Sequence, residues 1–182
     1  MDENAFRLYY GATWLNFVAT LTGRLRAEPF DRLTSPERLA EWFAAVGLAP
    51  QAAPTDSDVA AAVELREALY EMSRAAVEAR RPVGAAVRVV SLALTHDAPP
   101  TLRVAKGELV ASAPATATDA LGRVARQAAE QVAGPDRARL RACAEPTCAG
   151  VYVDETGRRR WCADASCGVR SRVRAHRARA KL

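Results

Sequence analysis

All four cysteines of the chain fall in the 25 residues from Cys143 to Cys167, spaced Cys143-x4-Cys148-x13-Cys162-x4-Cys167. Four thiols crowded this closely have two ordinary uses, disulfide pairing or metal ligation. Disulfides need an oxidising compartment. The N-terminal MDENAFRLYYGATWLNF opens on acidic residues and lacks a basic segment followed by an apolar one, so no secretory signal is expected. Two cysteine pairs on two loops are instead what a tetrahedral d10 cation requires, and zinc is the preferred reading. The x4 spacing is wider than the x2 of the commonest ribbons, so disulfides, free thiols and a redox-sensing use of the cysteines stay open at this stage. Four thiolates close the coordination shell, and the expected Zn2+ is therefore single and structural. His176, nine residues past Cys167, is surplus to that count.

The charge divides at the same end of the chain. Residues 1–136 carry 14 Lys and Arg against 17 Asp and Glu, whereas residues 137–182 carry 12 against 4. The net charge of +5 is thus the difference between a mildly acidic body and a strongly basic tail. A tetrathiolate zinc has a formal charge of −2, which nearby arginines neutralise, but the basic excess is larger than that. Arginine dominates over lysine, as suits bidentate phosphate contacts. A polyanionic partner is expected, with a solvated basic tail as the plain alternative.

Within the tail, Val151, Val153 and Trp161 around Glu155-Thr156-Gly157 read as a β-hairpin, placing Arg158, Arg159 and Arg160 on its second strand. Asp164 or Ser166 is expected to cap a last helix, CGVRSRVRAHRARAKL. That helix carries Arg170, Arg172, Arg174, Arg177, Arg179 and Lys181. Val169 and Val173 are expected to pack inward against the zinc. The expected role of Arg158, Arg159, Arg160, Arg170, Arg172, Arg174 and Arg177 is nucleic-acid binding by phosphate neutralisation, with the helix in or along the major groove of duplex DNA.

The N-terminal part reads as a set of helices. Residues 12–25 are helix, or strand leading into one. SPERLAEWFAAVGL has Ser35 as cap, Pro36 at the first helical position and Gly47 as stop. A long amphipathic helix follows the caps Thr55 and Asp56. PVGAAVRVVSLALTH is apolar on most sides and is expected to be buried. TLRVAKGELVAS is a hairpin turning at Lys106-Gly107. A further helix over TDALGRVARQAAEQVAG stops at Gly134-Pro135, where the domain boundary is placed. The fold class is therefore mainly α with a small β-hairpin (α+β). A helical domain spans 1–135, and a treble-clef-like zinc finger with a basic helix spans 136–182. No catalytic constellation is visible, and His96 beside Asp97 is expected only to cap helix carbonyls, so no enzyme is expected. No stretch approaches the roughly 20 apolar residues of a membrane span. A cytoplasmic protein, nucleoid-associated when bound to DNA, is the natural expectation.

The segment RACAEPTCAGVYVDETGRRRWCADASCGVRSRVRAHR resembles the CGNR zinc finger, a bacterial module with x4 cysteine knuckles. The four cysteines, Arg159-Arg160-Trp161-Cys162, Cys167-Gly168 and Arg170 match. Val169 stands in place of the signature asparagine. GATWLNFVATL, followed by SPERLAEWFAAVGL, resembles the opening of the ABATE domain, described as a stress-induced transcription regulator. Asn16 and Ala19 stand where that family commonly has Asp and Asn. The resemblance implies a transcription regulator whose finger reads DNA and whose larger domain senses a ligand, through Asn16 and Thr20, or mediates assembly. A small-molecule effector and a homodimer are the accompanying expectations. The alternative is a protein- or RNA-interaction module in which zinc is purely structural.

Overall fold

The computed structural model describes residues 4–180, so Lys181 lies outside the described residues. The stretch 12–25 divides into a short helix, α1 (Thr13–Val18), and a two-residue strand, β1 (Leu21–Thr22), paired antiparallel with β2 (Phe30–Asp31). Helix α2 (Pro36–Ala45) starts where the sequence places it: Ser35 is extended and its Oγ accepts from the Arg38 amide. Helix α3 (Asp56–Val77) opens with a reciprocal box, the Asp58 amide donating to Thr55 Oγ1 and the Thr55 amide to the Asp58 carboxylate. Helix α4 (Gly84–Leu94) and the hairpin β3 (Leu102–Ala105) and β4 (Glu108–Ala111) follow. Thr116 and Asp119 repeat the capping box at α5 (Ala117–Ala133). Each box satisfies amide donors that a helix start leaves without partners.

These elements close on one apolar cluster in which Trp14, Phe17, Leu39, Trp42, Phe43, Leu69 and Val124 are buried. Alanines at 120, 125 and 128 let α5 come close to its neighbours. At Gly122 contact is so tight that an added Cβ would sit 2.7 Å from the Asp97 amide nitrogen. α1 is pinned to α5 by Gln127 and Gln131, which accept from the Trp14 amide at 3.0 Å and the Trp14 indole at 2.6 Å.

Two expectations for this body are corrected. α4 is not enclosed: only Ala86 and Val90 are buried, and Leu92 is 65% exposed. The β3–β4 hairpin is also apolar and open to solvent, with Val104 73% exposed. An apolar run specifies burial only where a neighbour covers each side, and here α3 and α5 cover one side. At the end of α4, the Thr95 side chain rather than that of His96 returns to a carbonyl, Oγ1 donating to Leu92 O at 2.7 Å, while His96 donates only its amide, to Ala93 O.

The C-terminal segment folds onto this body. A 3-10 turn (Pro135–Arg139) leads into β5 (Leu140–Ala142), which pairs antiparallel with β6 (Val151–Val153). Leu140, Val151, Tyr152 and Val153 are buried in the same cluster as Trp14 and Phe17. The first strand residues of the tail thereby gain about 1.5–3 kcal/mol each from burial. Val153 donates its amide to Tyr10 O at 2.8 Å. Gly11, at φ +88°, allows that approach, since a Cβ there would lie 2.8 Å from Val153 Cβ.

Candidate metal centre and basic helix

The finger's strand pair differs from the expected one. β6 pairs backwards with β5 and not forwards with residues 158–161, so Arg158, Arg159 and Arg160 lie in a loop. The cause is Asp154. Its Oδ1 accepts from the amides of Gly157 (2.9 Å), Thr156 (3.2 Å) and Arg159 (3.4 Å), taking up donors that a returning strand would use. Burial works against the ionised Asp154 carboxyl, but these bonds hold it below the usual carboxylate range.

The turn between β5 and β6 is the first cysteine knuckle, with Cys143 and Cys148. Cys162 follows the Asp154 loop, and Cys167 sits in a single π-type turn (Asp164–Gly168) leading into α6 (Val169–Arg179). All four Sγ atoms lie within 4.8 Å of one another. Cys148 and Cys162 are 3.7 Å apart, and Cys162 and Cys167 are 3.5 Å apart. A disulfide would require about 2.05 Å. Sulfurs at about 2.3 Å from a central zinc stand about 3.8 Å apart along a tetrahedral edge. The geometry therefore fits one structural zinc, and the four cysteines are unpaired.

Donors converge on these sulfurs as they do on thiolates. The amides of Gly150 and Cys162 donate to Cys148 Sγ and Cys143 Sγ at 3.4 Å each, and Arg170 donates to Cys167 Sγ at 3.0 Å. Without a cation the four thiols would titrate against one another. Bonding with its neighbours, Cys148 first, pulls Cys143 well below the ordinary thiol range, while contact with Cys143 pushes both Cys148 and Cys162 up. A divalent ion removes that conflict. Gly150 keeps the knuckle tight: an added Cβ would press to 3.3 Å on both Cys148 Sγ and the Tyr10 ring. Tyr10 is itself buried, and burial pushes its hydroxyl strongly upward in pKa.

The helix leaving the zinc is unusual in burying none of its residues. Val169 and Val173, expected inward, are 44% and 43% exposed. The helix projects past the metal instead of lying on it, and polar contacts hold it. Arg172 grips Asp164 through two bonds at 2.9 and 3.2 Å, so neither Asp164 nor Ser166 supplies the expected cap. Arg174 donates at 2.7 Å to Glu145, a side chain of 0% exposure in the first knuckle. Glu145 Oε1 also takes the Thr147 hydroxyl at 2.7 Å. Burial raises and these bonds lower the Glu145 carboxyl, with the lowering dominant.

The arginines thus sort into two kinds. Arg159 is built in: it stacks on Tyr152 at 4.4 Å and donates to the carbonyls of Trp161 (2.9 Å), Tyr9 (2.9 Å) and Cys162. Arg170 serves the metal. Arg158, Arg160, Arg177 and Arg179 form no ion pair among the described residues, although Arg160 lies 5.3 Å from the Trp161 ring. Asn16 and Thr20 each bond within the helical domain. Asn16 Oδ1 accepts from the Tyr10 amide, and buried Thr20 accepts from Arg66 at 3.4 Å while donating to Phe17 O.

Sequence reasoning missed the buried charges. Arg66, 2% exposed, is held bidentately by Asp31 at 2.6 and 2.8 Å and by Glu67 at 2.9 Å. Glu67 in turn takes Arg24, whose guanidinium lies 4.1 Å from the Tyr70 ring centre. An arginine at an inward position of a helical pattern is the one signal the sequence offers, and it names no partner.

Helices around an apolar core, with a four-cysteine finger folded onto them and a basic helix projecting from it, define a two-part zinc-finger protein. Residues 11–135 match the ABATE family, described as "Putative stress-induced transcription regulator", and residues 139–180 match the CGNR zinc finger. The chain belongs to the ABATE family. No curated protein matches it. Among the described residues no helix is long and apolar enough to cross a membrane.

Proposed function

We infer that the chain is a DNA-binding transcriptional regulator whose zinc is structural and whose contact surface is α6 with the Asp154 loop. The carrying observation is a helix of 11 residues that buries none of them and bears five arginines. An isolated helix of that length is marginal in water. Anchored at one end by zinc and spending its surface on charge, it is suited to lie along a phosphate backbone, releasing counterions as it binds. Ordered arginines on a short rigid module also supply the forked donors that phosphates and guanines accept.

The test is fluorescence anisotropy of zinc-loaded protein with random-sequence duplex DNA, against single-stranded RNA of equal length. Saturable duplex binding that weakens with salt supports the reading, and recovery of bound genomic fragments then finds the operator. Absence of duplex binding at low salt overturns it and leaves the interaction-module alternative.

A role in assembly through the helical domain is favoured by the exposed apolar face of α4 and the β3–β4 hairpin. A homodimer would let two fingers address two half-sites. Sedimentation of the zinc-loaded chain decides it, with a monomer at every concentration counting against a dimer.

A further inference from the structure

We propose that Val169 and Val173, the exposed valines of α6, read the C5-methyl group of thymine in the major groove. The proposal rests on the DNA-binding reading above and names the base edge that this surface favours. The two side chains are 44% and 43% exposed, and neither belongs to the apolar cluster that joins the helical domain to the finger. Valine is a poor choice for an open helix position, because its branched side chain loses rotamer freedom against the preceding turn. The other non-arginine residues of α6 are Ser171, Ala175, His176 and Ala178, small or polar as an open helix allows. Two branched apolar side chains one turn apart on such a helix are of use to a surface that the chain does not itself supply.

Their placement among the arginines indicates which surface. At about 100° per residue, Val169 and Val173 stand about 40° apart and form one narrow stripe, which His176 continues. Arg170 and Arg174 lie on the side turned to the metal centre, where they bond Cys167 Sγ and Glu145. Arg177 and Arg179, which form no ion pair among the described residues, fall on opposite sides of the stripe.

An apolar stripe edged by cations complements an apolar strip edged by anions. The major groove of DNA is such a surface: thymine methyls stand on its floor, phosphates line its rims, and its width of about 12 Å admits a helix. Along the helix axis the valines are about 6 Å apart, close to two base-pair steps of about 3.4 Å. The other three bases present donors and acceptors in that groove, and an apolar side chain laid on them strips their water without a replacement bond. RNA fits neither feature, since its deep, narrow major groove is closed to side chains and its uracil lacks the methyl.

The test compares, on the zinc-loaded full chain, a duplex of A·T pairs with the same duplex carrying deoxyuridine for thymidine, by anisotropy at several salt concentrations. The two duplexes have equal charge and differ in the methyl groups. One buried methyl is worth about fourfold in affinity, so the deoxyuridine duplex should bind about 4- to 15-fold more weakly, as one or both valines are engaged. Val169→Ser with Val173→Ser should weaken the thymidine duplex by a similar factor and leave the deoxyuridine duplex and the salt slope in place, erasing the difference. Both positions are exposed, and unchanged zinc content checks the variant's fold, while the ratio in the unmutated chain needs no variant. Equal affinity for the two duplexes overturns the proposal and leaves the DNA reading standing. A difference that the serine variant retains overturns it too, assigning the effect to duplex shape. An unchanged ratio with altered sedimentation of that variant would give the stripe to a second copy of the chain. Binding to neither duplex at low salt fails the DNA reading, and this inference with it.

Discussion

If the arginines of the tail divide as the structure sorts them, salt dependence will count them. In α6 and the Asp154 loop, the side chains of Arg158, Arg160, Arg177 and Arg179 have neither an ion pair nor the carbonyl or sulfur bonds that hold Arg159 and Arg170. Each phosphate they neutralise contributes about −0.9 to the slope of log affinity against log salt. A slope of about −3.6 follows, which is a loss of roughly 150-fold between about 50 and 200 mM salt. Arg177→Ala with Arg179→Ala halves the slope to about −1.8 and the loss to roughly 12-fold. Arg159→Ala behaves in the opposite way. Its guanidinium is spent on the carbonyls of Tyr9, Trp161 and Cys162, so the slope stays and stability falls by about 1–3 kcal/mol. Anisotropy titrations across that salt range, paired with urea unfolding of each variant, read both quantities. If Arg159→Ala removed as much slope as Arg177→Ala, the division into built-in and available arginines would be wrong.

Other consequences are independent of DNA. Asp31→Ala leaves buried Arg66 with Glu67 as its one carboxylate, beside the Thr20 hydroxyl. Breaking a buried pair costs about 3–5 kcal/mol, and because Asp31 is a third exposed and Glu67 remains, about 2–3 kcal/mol is expected, roughly 4–12 °C in melting temperature. The Asp31 carboxyl is opposed by burial but held below its usual range by Arg66 and the Leu33 amide. Its stabilisation is therefore complete above the unfolded value of about 4 and is lost as pH falls through the lower folded value. The variant should show a shallower acid loss in that window, and an identical acid profile would contradict the assignment. Gly122→Ala forces a methyl onto the Asp97 amide and should cost about 1–3 kcal/mol by overpacking, read by thermal unfolding. A neutral result would mean that α5 and the end of α4 are not joined as tightly as the 2.7 Å approach at Gly122 requires.

The legible parts of this fold are those written in local chemistry. Ser35-Pro36, Thr55 with Asp58 and Thr116 with Asp119 announce helix starts because a cap acts within three residues. The cysteines announce their centre because two close pairs within 25 residues supply the four ligands of one tetrahedral ion. What escaped was set by partners far along the sequence. The apolar face of α4 stays open because nothing is folded over it. Val169 and Val173 point outward because Arg172 to Asp164 and Arg174 to Glu145 hold α6 away from the metal, the second pair joining residues 29 apart. The expected hairpin at Glu155-Thr156-Gly157 fails because one carboxylate, Asp154, bonds three amides at once.

Zinc should order the surface proposed to hold DNA. The direct measurement is a chelator titration in which zinc release, by a colorimetric indicator, and duplex binding, by anisotropy, are followed in one sample. Structural zinc in small fingers contributes about 10–16 kcal/mol of apparent folding free energy, so the two signals should fall together and return together when zinc is restored. Duplex affinity and salt slope unchanged in fully zinc-free protein would contradict the claim.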